Sequence, residues 1–186
     1  MLKRNARPII HSLLILISFL LFTSFNTRTT EWKFDPANAK IEFAIPGYHK
    51  AGDFGGLSGT FVFDPAFPEQ TKIDAKIEVA TVKTGHKMLD WHLQRKSFFD
   101  AADYPEISFH STSVMKTDTI WYANGELTMK GVTKDIQLAF YVSPGKSSSE
   151  FHGSFEIFAG DFNVGRKSKK GKDKVGISIV VPITKN

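Results

Sequence analysis

The chain has 186 residues and no cysteine. This absence excludes disulfides, thiol catalysis, thiolate-bound zinc, haem attachment through CxxCH and the lipid-bearing cysteine of a lipoprotein. A domain of about 150 residues can bury enough apolar surface to fold without such cross-links. The 17 phenylalanines supply much of that surface.

The signature motifs of common enzymes are also missing. The sequence has no HExxH zinc motif, no GxSxG nucleophile motif, no phosphate-binding P-loop and no GxGxxG dinucleotide motif. His86 and His92 stand six residues apart, which is not the spacing of two metal ligands on one helical face. We therefore expect no catalytic residues, no metal and no cofactor. An enzyme that acts on a lipid or quinone through a pair such as His92 and Asp100 stays an alternative.

The N-terminus predicts export. Lys3, Arg4 and Arg7 precede an almost unbroken apolar run over residues 9–22, and small polar residues follow. This order is typical of a secretory signal peptide, and the run is shorter than the ~20 residues that a spanning helix needs. We predict a signal peptide over residues 1–25 and a periplasmic or secreted protein, with a retained anchor as the alternative.

Charge does not favour a nucleic-acid partner. Residues 31–186 carry 20 basic and 19 acidic side chains, so the overall basicity belongs largely to the leader. A local basic stretch remains at residues 166–174. It is interpreted either as a solvated hairpin loop or as a loop that contacts phosphate groups at a membrane surface.

The remainder predicts β-strands. Ile73, Ala75, Ile77 and Val79 alternate with charged residues over 72–82, which indicates a strand wetted on one face. Other predicted strands are 40–45, 59–63, 106–115, 119–123, 125–129, 135–142, 150–158 and 174–183, with a hairpin turn at Asn124-Gly125. Long alternating strands need closed or covered edges, which favours a barrel of about eight strands. An edge left exposed would allow a homodimer.

One segment departs from the strand pattern. Met88, Leu89 and Leu93 have helical spacing, which predicts a short helix within residues 85–98. Phe98 and Phe99 follow it, in a connection that runs to Pro105. Such apolar residues predict a lid over an apolar interior, but periodicity leaves open whether that interior is a packed core or a cavity.

Four motifs, in order, resemble the YceI-like family of lipocalin-like, polyisoprenoid-binding exported proteins. They are WKFDPANAKIEF at 32–43, SGTFVFDP at 58–65, DWHLQRKSFFDAADYP at 90–105 and NGELTMKGVTKDI at 124–136. Residues 159–163, AGDFN, depart from the family's Arg-x-Asp-Phe-Gly at that corner.

The resemblance implies an all-β fold over residues 31–186: an extended eight-stranded antiparallel lipocalin-like barrel with one short helix. It also implies a tunnel for an isoprenoid or another amphiphilic, fatty-acid-like lipid, and no catalytic residues. By position and inward alternation, the expected ligand-binding wall is Phe43, Phe61, Phe63, Ile77, Val79, Leu89, Leu93, Phe98, Phe99 and Phe109. The alternative is a structural or stress protein of the envelope whose barrel is packed solid.

Overall fold

Ten β-strands and one short α-helix account for most of the described chain. The computed structural model describes residues 31–45, 51–144, 148–166, 168 and 173–185. The predicted signal peptide, residues 1–25, lies outside them, as does most of the stretch 166–174. The elements are β1 (Glu31–Phe34), β2 (Lys40–Ala44), β3 (Gly52–Phe54), β4 (Ser58–Val62), β5 (Lys72–Glu78), α1 (Lys87–Leu93), β6 (Glu106–Thr117), β7 (Ile120–Met129), β8 (Val132–Ser143), β9 (Ser149–Phe158) and β10 (Lys174–Lys185).

Eight of the strands close a ring. Their order is β1-β4-β5-β6-β7-β8-β9-β10, all neighbours are antiparallel, and β10 pairs back onto β1. Strand β2 extends β1 along β10, and β3 extends β4 along β2. The predicted eight-stranded antiparallel barrel is confirmed.

The ring leaves little open edge among the described strands. The outermost strand, β3, has three residues and is itself bridged to Lys83 through Asp53. If two barrels paired through a strand edge, they would have to use β3, which is short and partly covered. The homodimer stays a prediction.

The predicted turn at Asn124-Gly125 is wrong. Both residues lie inside β7, and the chain turns instead at Asp118 and at Lys130-Gly131, where φ is positive. A Cβ on Gly125 would lie 2.3 Å from the His110 carbonyl oxygen and 2.7 Å from the ring of a neighbouring phenylalanine. Gly125 is therefore required for close packing across the sheet rather than for a turn.

The strand that precedes the lid ends earlier than predicted. Strand β5 ends at Glu78, and Val79–Thr81 forms a 3-10 turn, so the alternation predicted through residue 82 stops early. Helix α1 covers Lys87–Leu93, about two turns within the predicted range 85–98, so the predicted short helix is confirmed. Within the described residues, no helix has the length and apolarity needed to span a bilayer.

The interior divides into two clusters. The first, here the packed cluster, lies at the end of the barrel where β1 meets β4 and includes Trp32, Phe61, Phe63, Trp121, Phe140 and Phe151. The second, the lid cluster, lies beneath α1 and includes Phe54, Val79, Ile107, Met129, Ile157 and Phe162. Phenylalanines supply much of both clusters, as their number in the sequence predicts.

Candidate functional site

Helix α1 is fixed to the chain that precedes it. A carboxylate oxygen of Asp90 accepts hydrogen bonds from the Thr84 backbone N–H and the Thr84 hydroxyl, both at 2.6 Å. The hydroxyl bond is the main reason that the pKa of Asp90 lies below its ordinary value. Gln94 donates to the Ala80 carbonyl oxygen at 3.2 Å. These contacts hold the helix so that Leu89 and Leu93 face the barrel interior.

The residues after α1 complete the lid. The Phe99 ring meets Phe54 edge-on at a centroid distance of 5.4 Å, and Phe54 lies at the same distance from Phe43. Lys130 donates from Nζ to the carbonyl oxygens of Lys96 and Asn163, each at 2.7 Å. The lid is thereby joined to the β7–β8 turn and to the chain after β9.

A cavity of about 460 Å³ lies between the lid and the barrel wall. Its lining is mostly apolar and is contributed by the lid and by β2, β3, β5, β6, β7, β9 and β10. Six predicted site residues line it: Phe43, Ile77, Leu89, Leu93, Phe98 and Phe99. Other wall residues were not predicted, although they also lie on alternating strands; among them are Ile107, Phe155, Ile157 and Ile177.

The cavity reaches solvent on the lid side. Three of its lining residues are themselves exposed, namely Ile45, Leu89 and Arg166. We call this opening the mouth. A ligand could enter here without crossing the strand ladder.

A smaller cavity of about 90 Å³ continues the site inward. Ile41, Ile77, Ile107 and Phe155 border both cavities and form a waist between them. Phe109, the seventh predicted residue, lines the smaller cavity only. The two spaces therefore adjoin, and the smaller one borders Ile73 and Phe151 of the packed cluster. We refer to the two spaces together as the channel.

The expected wall needs correction at Phe61, Phe63 and Val79. The Phe61 and Phe63 side chains are 0 % and 4 % exposed, and their rings stack on each other at 5.4 Å. Phe61 also meets the Phe151 ring edge-on at 5.3 Å. Val79, 1 % exposed, is packed within the lid cluster. Alternation predicts that such residues point inward, but the facing residues fill the space beside them.

Polar side chains also line the larger cavity. They are Glu42, Thr84, Arg166, Ser168 and Asp173. A carboxylate oxygen of Asp173 is buried and has no hydrogen-bond partner among the described residues. Arg166, Ser168 and Asp173 belong to the basic stretch 166–174, which the sequence left open between a solvated hairpin loop and a loop that contacts phosphate groups.

The pair weighed for catalysis is not assembled. His92 is exposed, and its ring packs on Phe98 at a centroid distance of 4.8 Å. Asp100 is buried in a turn with φ of 57°, and its backbone carbonyl accepts from Tyr104 at 2.8 Å. In the described chain no hydrogen bond joins the two side chains, and no cluster of three or more histidines and carboxylates is placed to hold a metal ion.

Comparisons with known proteins agree with this architecture. Over 147 residues the chain is 34% identical to the UPF0312 protein plu2095 of Photorhabdus laumondii, covering 68% of this chain and 76% of that protein. It is 36% identical over 124 residues to a UPF0312 protein of Yersinia pestis, covering 64% of this chain and 65% of that protein.

Solved structures share the fold. Burkholderia cenocepacia BcnA superposes with a TM-score of 0.74 at 26% identity, over 82% of this chain and 99% of that one. The Campylobacter jejuni YCEI protein gives 0.65 at 30% identity, over 73% and 84%. A polyisoprenoid binding domain from Saccharophagus degradans gives 0.58 at 13%, over 83% and 98%, which shows likeness of fold alone. Because the sequence model of the YceI-like domain matches residues 32–183, the protein belongs to the YceI-like family.

Proposed function

We propose that this protein is an exported, non-enzymatic carrier that holds a long isoprenoid or another amphiphilic lipid chain in the cavity beneath its lid. The observation that carries the proposal is the apolar cavity of about 460 Å³ with a solvent-facing mouth. The Saccharophagus degradans domain of the same fold is a polyisoprenoid binding domain, which supports this class of ligand. Export to the periplasm or medium is inferred from residues 1–25.

The volume sets the scale of the ligand. A cavity of about 150 Å³ takes one benzene, so the larger cavity here takes on the order of 15 to 20 carbons. Each methylene removed from water contributes roughly 0.8 kcal/mol. A chain of that length binds through desolvation and needs few polar contacts.

The mouth favours an amphiphile over a plain hydrocarbon. Arg166 offers a cationic donor there, and the buried oxygen of Asp173 lacks a donor among the described residues. A head group with both an acceptor and a hydroxyl would satisfy the two side chains. The apolar tail would then point towards the waist at Ile41 and Phe155.

The non-enzymatic part of the proposal draws on the contacts of His92 and Asp100. His92 packs on an aromatic ring at the surface, and Asp100 serves a turn. The contacts of His92 and Asp100 do not join a nucleophile, a base and an orienting group, which covalent catalysis needs. The polar groups of the cavity wall are suited to orient a head group.

The test is whether the purified protein carries or takes up such a chain. Organic extraction and mass spectrometry should find a bound lipid, and added geranylgeraniol should raise the Tm of delipidated protein. Ala51→Trp introduces an indole at a residue that lines the cavity near its mouth, so it should reduce both effects. Ala102→Trp, on the exposed part of the lid, should not.

An empty protein whose Tm is unchanged by geranylgeraniol and by palmitate would contradict the proposal. Equal uptake by the wild type and Ala51→Trp would place the ligand outside this cavity.

A further inference from the structure

The outer face of the lid helix exposes two large apolar side chains. Met88 is 78 % and Trp91 53 % exposed, and their spacing places them on one side of α1. Leu89 and Leu93 of the same helix line the cavity. One helix therefore presents apolar groups to the ligand space on one side and to the surroundings on the other.

Basic residues frame this face. Residues 83–96 contain four basic side chains and one acidic side chain, Asp90, whose carboxylate is engaged by Thr84. The Arg95 guanidinium lies over the Trp91 ring, 3.8 Å from its centroid. Lys83 and Lys87 are exposed beside them. Tryptophan with lysine and arginine is the composition of helices that lie in a bilayer interface.

The basic residues of the range 31–186 are concentrated in two segments of the sequence, and each segment contributes residues to the cavity wall. Residues 166–174 carry six basic side chains against one acidic, and Arg166 and Asp173 of that stretch line the same cavity as Leu89. Outside these residues and residues 83–96, the range 31–186 carries ten basic and seventeen acidic side chains. Such an asymmetry favours the approach of a nearly neutral protein to an anionic surface through its basic segments.

We propose that Lys83, Lys87, Met88, Trp91 and Arg95 form a docking face for an anionic lipid bilayer. Docking there turns the mouth towards the acyl chains, which shortens the path of an apolar ligand through water. Met88, Trp91 and Arg95 would also suit a protein partner, but the exposed Lys83 and Lys87 would not, because protein interfaces are depleted in lysine. The docking itself does not depend on which ligand the cavity holds.

The chain carries its own reporter for this contact. Of its three tryptophans, Trp32 and Trp121 are 8 % and 5 % exposed, so Trp91 dominates changes in solvent-dependent emission. The test uses phosphatidylcholine vesicles with 30 mol% phosphatidylglycerol, roughly one anionic lipid in three. These vesicles should shift the Trp91 emission to the blue and protect Trp91 from quenching by acrylamide. Pure phosphatidylcholine should do neither.

Charge-removing variants test the electrostatic part in the mature domain. Each basic residue near an anionic surface contributes about fivefold to partitioning, so Lys83→Gln with Lys87→Gln should weaken vesicle co-sedimentation about 25-fold. The matched control, Lys33→Gln with Lys72→Gln, removes two exposed charges at the opposite end of the barrel and should leave binding unchanged. Salt at about 1 M, where the Debye length is about 3 Å, should release the wild type.

Three outcomes would overturn the proposal: no emission change with anionic vesicles, equal weakening by both charge pairs, or an emission shift with protein concentration alone, which would assign the face to a second copy. Retained geranylgeraniol binding in the same preparation would leave the proposed function standing.

Discussion

Removing the Phe61 ring should convert the closed end of the channel into ligand space. Phe61 is 0 % exposed, and its ring contacts Phe34, Phe63, Phe140 and Phe151. Replacing a buried phenylalanine by alanine costs about 3–5 kcal/mol of unfolding free energy. For a domain of this size that lowers the Tm by roughly 6–20 °C. Thermal unfolding of the delipidated variant measures this cost.

The vacated space should be accessible to a longer chain. Phe34 and Phe151, which contact Phe61, also line the smaller cavity, so the new void adjoins the channel. A benzene-sized void takes about six further carbons. At ~0.8 kcal/mol for each methylene, a longer chain should recover several kcal/mol that a shorter chain does not.

The assay is the Tm increment produced by prenyl alcohols of rising length. The optimum should move to longer chains in Phe61→Ala, whereas Phe158→Ala, at a residue 45 % exposed, should keep the wild-type optimum. Phe61→Leu is the milder variant if the alanine variant does not fold. A large loss of Tm with an unchanged length preference would refute the claim that Phe61 closes the channel.

Two further predictions concern the barrel wall and the lid. Gly125→Ala should lower the free energy of unfolding by about 1–3 kcal/mol in urea titrations, because its Cβ would overlap the His110 carbonyl oxygen. Gly176→Ala is the control, since a Cβ at Gly176 would have no atom within 4 Å. Equal losses of unfolding free energy in the two variants would contradict the packing argument. The folded-state pKa of Asp90 is lowered, so its contribution is present above the unfolded value of about 4 and is lost as pH falls through the folded value. The protection factors of residues 87–99, which are the hydrogen-exchange rates corrected for the intrinsic effect of pH, should therefore fall in acid. Asp90→Asn should lower these protection factors at neutral pH and reduce that acid dependence.

The local sequence pattern was enough to predict many strands of the barrel and the apolar residues of the lid. The alternation of Ile73 and Ile77 with charged residues marks one strand face as buried, and the structure buries Ile73 to 3 % exposure. The apolar residues Leu93, Phe98 and Phe99 do line the cavity beneath α1. Pattern failed at Asn124-Gly125, because the dipeptide that suits a tight turn also suits a crowded strand.

The sequence by itself determined whether a strand residue faces the barrel interior or the solvent. This alternation has a period of two and depends only on neighbouring residues. Whether the interior is hollow was decided by tertiary structure, because that depends on which rings face one another across the barrel. Phe43 and Phe61 have similar local patterns, yet Phe43 borders open space and Phe61 meets Phe140 and Phe151. The distance between opposite walls is set by strand order and register, which no local pattern contains.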